Sequence, residues 1–326
     1  MSCKSFAFGV SLACLLAAAP AMAQQGAATG PLSARIGHYD PSRMRRATGV
    51  HEGAGAMEFG PLLGAQALST NLIFLHRGII LPHSGIGEHF HNACEEMFVI
   101  LDGADAQFTV NGRTATLKTP AGVPDRMGNA HGIYNPSDKP IEWMNINVGL
   151  NKNYDNFDLH DDRVGAPLDK IPQFVNFHMD PALMRPAPPT LNATGAVTWR
   201  RLLAPQVFMT PWAFFDQIDI PAGAKIAPTP DANMSEAYYV NKGAGSVTVN
   251  GETVQIKAGD AIPVDLGQVH SFTQSGSQPL ELLVIGIAKD MAAKQAFMAI
   301  PPVFPGRGGR GGRGPAGRGA PPAPGR

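Results

Sequence analysis

Ser84-Gly85-Ile86-Gly87-Glu88-His89-Phe90-His91-Asn92-Ala93-Cys94-Glu95-Glu96-Met97-Phe98-Val99-Ile100-Leu101-Asp102-Gly103 sets two histidines two residues apart. Adjacent carboxylates follow, and then an apolar run that ends in Asp-Gly. In a strand, residues i and i+2 project from one face, so His89 and His91 point together. A turn at Asn92-Ala93 with an antiparallel return would bring Glu96 to the same side. Three ligands would then converge from a hairpin, and one more from a distant strand would complete a metal site.

Around this stretch the chain is β-rich. Leu72-Ile73-Phe74-Leu75, Gly78-Ile79-Ile80-Leu81-Pro82 and Ile141 to Val148 read as strands. Ala106 to Val110 and Thr114 to Leu117 flank Asn111-Gly112, the strongest short hairpin signal. A second β segment runs from Trp199 to about Ala288 and repeats the first by spacing alone. Glu96 precedes Gly103 by seven residues and Asn111 precedes His131 by twenty. Glu236 precedes Gly243 by seven, and Asn250 precedes His270 by twenty. Phe108-Thr109-Val110-Asn111-Gly112 echoes Val247-Thr248-Val249-Asn250-Gly251. Two domains of one fold are indicated.

The repeat selects Glu96 over Glu95, because Glu96 is the position matched by Glu236. His131 supplies the fourth ligand, which a closed sheet would bring in from a later strand. Three imidazoles and one carboxylate suit a divalent transition metal: Fe, Mn, Co, Ni, Cu or Zn. Counting back from Glu236, the two histidine positions become Thr229 and Asp231. The second repeat therefore keeps at most Asp231, Glu236 and His270 as a reduced metal site. His38, His51, His76, His160 and His178 fall outside the pattern and read as structural or surface residues. His83 stays open, as a residue of the pocket mouth. Arg126, five residues before His131, reads either as a surface ion pair or as a guanidinium offered to a substrate beside the metal. Glu96 is a candidate both for ligand and for general base, so Glu96 and Arg126 are the candidate catalytic residues.

The first repeat resembles the first motif of the cupin superfamily, a Gly followed by His-x-His, three or four residues, Glu, six residues and Gly. His89, His91, Glu96 and Gly103 match its last four elements. The leading Gly is displaced to Gly85 or Gly87. His131 and Asn135 resemble the end of the second motif, while Pro120 and Arg126 stand where its Gly and Pro would be. The resemblance covers about two thirds of the chain. It implies an all-β protein of two double-stranded β-helix barrels in tandem, a bicupin, with His89, His91, Glu96 and His131 as metal ligands.

Composition bounds the rest. A formal net charge of zero gives no sign of nucleic acid or of an anionic membrane surface as partner. Lys4, the apolar stretch Phe6 to Ala19 and Ala21-Met22-Ala23 read as an export signal over residues 1–23. The expected localisation is periplasmic or secreted, with no membrane span once the signal is removed. Of Cys3, Cys14 and Cys94, only Cys94 lies in the mature chain, where it reads as a small turn residue. The expected organisation continues with an arm over 24–55, a first barrel over 56–160 and a proline-rich connector over 161–198. A second barrel over 199–292 follows. Last comes a tail over 293–326, with a short helix near Met291 to Met298 and disordered Gly/Arg/Pro repeats from about 302.

A 3-His-1-Glu site in octahedral geometry leaves two neighbouring positions open, which suits a bidentate substrate or a substrate with dioxygen. The expected function is therefore a metal-dependent, dioxygenase-type oxidoreductase acting on a small oxygenated organic substrate. The alternatives are a metal-dependent isomerase or lyase on a sugar-derived or hydroxy-acid substrate, and a non-catalytic small-molecule-binding bicupin. Metal loading after export would favour Cu or Zn over Mn or Fe. Homo-oligomer formation stays open.

Overall fold

The structure, a computed structural model, describes residues 29–300. The export signal of 1–23 with Cys3 and Cys14, and the Gly/Arg/Pro tail, lie outside the described residues. Four antiparallel sheets account for the two expected barrels, and none of them closes on itself. Each barrel is a pair of facing sheets. In the first, five strands carry the Ser84–Phe90 and His131–Asn135 strands side by side, and seven strands carry Cys94–Gly103 between Ala121–Asp125 and Ile141–Gly149. The second barrel repeats this with four and seven strands.

Two expectations about local structure need correction. Ser84–Phe90 and Cys94–Gly103 are not a hairpin: the first pairs with His131–Asn135, the second with Ala121–Asp125 and Ile141–Gly149. The chain instead turns a corner at His91–Ala93, from one sheet of the barrel to the facing one. Cys94 is fully buried at the start of the second strand, not in a turn. By contrast, Asn111-Gly112 and Asn250-Gly251 form the two expected hairpin turns, with positive φ at all four residues.

The seven-stranded sheets pack back to back, which explains why their central strands are apolar on both faces. Met97, Val99, Met144, Ile146 and Val148 of the first barrel share one core with Ala237, Tyr239, Leu283, Ile285 and Ile287 of the second. Their alternate residues face into each barrel. Trp143, Phe98 and Ile100 lie in the inner core of the first, and Tyr238, Val240 and Val284 in that of the second.

The arm lies over both barrels. Leu32 is fully buried in the second core, Gly37–His38 pairs with the Asp260–Val264 strand, and Arg45–Thr48 pairs with Ala56–Gly64 of the first barrel. The connector likewise touches both, through Phe177–His178 on the first barrel and Arg185–Pro186 on the second. The expected helix is Met291–Ala299, with Asp290 as its N-cap, accepting from the Ala293 N–H.

Candidate metal centre

Three imidazoles surround one carboxylate oxygen. The Nε2 atoms of His89, His91 and His131 lie 3.2, 3.4 and 3.1 Å from Glu96 Oε2. All four side chains are at most 2 % exposed, and their ligand atoms lie within 4.8 Å of one another. His89 and His131 come from paired strands of one sheet, directly opposite one another. Glu96 reaches across from the facing sheet.

The ring tautomers follow from the backbone. The Nδ1 of His89 donates to Gly87 O at 2.9 Å, that of His131 to Asn129 O at 3.0 Å, and that of His91 to Asp155 O. Carbonyls only accept, so each Nδ1 carries a hydrogen, and Nε2, the atom turned toward Glu96, is the one available to a metal. Three Nε2 atoms and a carboxylate oxygen converge in one dry site, as the ligands of a cation do. The donor set fits a divalent transition metal, and each imidazole has the backing acceptor typical of metal-ligating histidines. Asn145 Nδ2 donates to Glu96 Oε1 at 2.9 Å, which leaves Oε2 to face the imidazoles. Burial alone would raise the Glu96 carboxyl, but the three imidazoles outweigh it and hold the group well below the usual carboxylate range. Burial and the neighbouring His131 lower His89.

Sequence reasoning missed the residues that close the site. His51, on the arm, stacks on His89 with ring centroids 3.8 Å apart and planes 7° off parallel. Its Nδ1 meets Asp158 at 2.6 Å, and Tyr154 Oη lies 3.2 Å from its Nε2. His51 and Glu52 both sit in the left-handed region, at φ 49° and 59°, a costly pair for residues with a Cβ. Glycines make this approach fit. A Cβ at Gly87 would meet His51 O at 2.1 Å, and one at Gly53 would meet Gly87 N at 2.4 Å. The Gly85-x-Gly87 and Gly53-x-Gly55 spacings were the only trace of it in the sequence.

A cavity of about 560 Å3 opens beside Glu96. Arg45 and His51 of the arm, Phe59, Phe74, His76 and Trp143 are among its walls. His76 stacks on Phe74 at 4.0 Å and has no hydrogen-bond partner among the described residues. Burial lowers it to about 4, so it is neutral at pH 7. Arg45 lies over the Phe59 ring at 4.7 Å and forms no ion pair among the described residues.

Arg126 is elsewhere. Its Nε and Nη2 donate to the carbonyls of Val207 and Gln206 in the second barrel, at 2.5 and 2.7 Å. It faces outward because Asp125, one residue earlier, faces in, so a substrate role beside this metal centre is overturned. His83 pairs with exposed Asp138 on the surface, away from the cavity. Asn135, at the motif's end, holds the following turn through Leu81 O and Lys139 O, and Gln274 does the same through Gly276 O and Gln278 O.

The proposed second site does not assemble. Asp231 is exposed and accepts from Asn233 N, and it does not join Glu236 and His270 in a cluster of ligand atoms among the described residues. Tyr238 Oη lies 2.6 Å from Glu236 Oε2 and 2.8 Å from His270 Nε2, so a phenol occupies the space between the two remaining ligands.

Comparison with known proteins agrees with the fold. The cupin domain family matches residues 77–147 and again 217–286. An oxalate-binding protein of Thermotoga maritima is 31% identical over 91 residues, 28% of this chain and 75% of that protein. Among solved structures, salicylate 1,2-dioxygenase of Pseudoaminobacter salicylatoxidans with gentisate superposes with a TM-score of 0.53 at 19% identity, covering 74% of this chain and 75% of that one. Oxalate decarboxylase of Lactobacillus farciminis, with formate, gives 0.54 at 15% identity over 78% and 86%. The chain belongs to the cupin family and carries its domain twice.

Proposed function

We propose that this protein is a metal-dependent enzyme of the dioxygenase type, acting on a small oxygenated organic acid in the first barrel. The carrying observation is the 560 Å3 cavity that opens on Glu96 at the edge of the four-ligand centre. A bound divalent metal would supply Lewis acidity and open positions for substrate and dioxygen. The chain's own residues would do the rest. Phe59, Phe74 and Trp143 offer a flat apolar slot. Arg45, without a carboxylate of its own, would take the acid group, the role expected of Arg126. Neutral His76 would accept a hydrogen bond from a substrate hydroxyl. A two-carbon dianion such as oxalate would leave most of this largely apolar space unfilled, which favours a larger substrate. The export signal expected over residues 1–23 makes this a periplasmic or secreted activity.

The test is oxygen uptake by purified, metal-analysed protein offered hydroxylated aromatic acids and β-diketones. Uptake should follow metal content and vanish in His131→Ala. Outer-shell partners of a metal ligand typically contribute 10–100-fold in affinity, so loss of the ligand itself should cost about 100-fold or more. Turnover under nitrogen would favour the isomerase or lyase alternative, and turnover by metal-free His131→Ala would exclude every metal mechanism.

A further inference from the structure

Asp155 clasps the corner at which the chain passes from the sheet of His89 to the sheet of Glu96. Its backbone carbonyl accepts from His91 Nδ1, its Oδ2 from Asn92 N at 2.8 Å and its Oδ1 from Ala93 N at 3.1 Å. The Cys94 thiol lies 3.6 Å from the same Oδ1. One residue thus meets four successive residues of the corner. The other two ligand histidines are held locally. His89 and His131 donate to the carbonyls of Gly87 and Asn129, each two residues earlier. His91 alone of the three depends on a partner 64 positions away, one that lies beyond the matched domain 77–147.

The second barrel shows the same corner without a histidine. The bonds from Gly128 N to His91 O and from Leu150 N to Ala93 O recur there, from Gly267 N to Asp231 O and from Lys289 N to Asn233 O. The two corners therefore share one backbone frame, with Asp231 in the place of His91 and Asn233 in that of Ala93. Asp231 caps its own corner, its Oδ1 accepting from Asn233 N at 2.7 Å. His91 has no such acceptor to give Ala93 N, because its Nδ1 donates to Asp155 O and its Nε2 is turned to Glu96. A histidine at this position leaves the corner in need of an acceptor from elsewhere, and Asp155 brings it. After the last strand of the second barrel, Leu280–Ala288, the chain enters the helix Met291–Ala299 instead.

We infer that Asp155 is a positioning residue of the metal centre. It fixes the plane and tautomer of His91, so that Nε2 meets the metal together with the other three ligands, and it replaces the cap that His91 cannot supply. Its carboxylate bonds to Asn92 and Ala93 keep its carbonyl in register with the imidazole. The same anchor sets one wall of the cavity. Tyr154, the preceding residue, lines that cavity with its ring centroid 5.1 Å from that of His91. The role toward the metal rests on the metal reading above, but the hold on His91 does not.

Imidazole nitrogen NMR of the metal-free protein tests the hold. In wild type the His89, His91 and His131 rings should each show the single Nδ1–H tautomer. In Asp155→Ala the His91 ring alone should lose it, the other two reporting an intact fold, and a His91 tautomer kept as in wild type overturns the proposal. Should the alanine variant disturb all three rings, Asp155→Asn, which retains one acceptor oxygen, is read by the same criterion. The second arm titrates Co2+ and records its visible absorption. Outer-shell partners typically contribute 10–100-fold to metal affinity, so Asp155→Ala should weaken Co2+ binding at least ten-fold and change the bands of the bound ion. A merely structural clasp would lower the urea midpoint and leave affinity within two-fold and the bands as in wild type, which would sever Asp155 from the metal. If wild type binds no Co2+, the metal reading fails while the NMR arm still decides the hold on His91.

Discussion

His76 shows how burial alone can set the charge of a pocket residue. An exposed imidazole titrates near 6.5, and burial brings this one to about 4. Between those values the unfolded chain holds a proton that the folded chain refuses. Stability is therefore complete above pH 6.5 and falls as the pH drops toward 4. The shift corresponds to about 3 kcal/mol at the acid end. His76→Phe keeps a ring on Phe74 and should remove most of that slope, leaving urea midpoints at pH 7 nearly unchanged and raising those near pH 4.5. Equal acid limbs in both proteins would count against it. Neither His76 nor His51 was legible in the sequence, because a lone histidine carries no spacing signal. Glu96 was legible because the repeat separates it from Glu95, His131 because the repeat matches it to His270, and His89 and His91 because their i, i+2 spacing puts them on one face of a strand.

Adjacent residues of one strand have opposite tasks. On Cys94–Gly103, Glu96 faces the metal centre while Glu95 faces the second barrel. Glu95 accepts from Met209 N, Thr210 N and Thr210 Oγ1 at 2.7, 2.7 and 2.6 Å. Lys294 of the C-terminal helix grips the same loop by donating to Phe208 O and Thr210 O, both at 2.6 Å. Arg126 holds its preceding residues. Arg126, which sequence reasoning assigned to chemistry or to the surface, thus joins the barrels together with Glu95 and Lys294, a role set by distant partners that no local pattern encodes. Glu95→Ala strands the buried N–H and hydroxyl of Thr210 and the part-buried N–H of Met209, and hydrogen bonds to a charged group are worth about 1.5–3 kcal/mol each net. Partial relaxation of the loop leaves an expected loss of about 3 kcal/mol in urea denaturation. Metal stoichiometry should stay as in wild type, because the loop touches no ligand. Loss of metal without loss of stability would contradict this division of labour.

At the scale of the whole molecule, one fold is used twice for different ends. Sequence spacing revealed the duplication, the strand content and the erosion of the second histidine pair. It could not reveal that a hydroxyl joins Glu236 and His270, because Tyr238 reads as an ordinary apolar-run residue until its side chain is placed. The barrels also share their largest apolar core, so the second one stabilises the sheet that carries Glu96 whether or not it binds anything. These facts lead to a prediction of the metal count. Glu236 lacks the amide donor that Asn145 gives Glu96, His270 has its Nε2 on Tyr238, and Asp231 faces solvent. Metal analysis of dialysed protein should therefore give one ion per chain, and none in His131→Ala. Tyr238→Phe removes the phenol and leaves Glu236 and His270 3.3 Å apart without it. Two ligands hold a divalent ion poorly, so the count should remain one. The buried pair, deprived of its hydrogen bonds, should cost about 1–3 kcal/mol of stability. A second ion per chain in wild type, or one that persists in His131→Ala, would mean that the second barrel keeps a centre of its own and that Tyr238 moves aside to admit it.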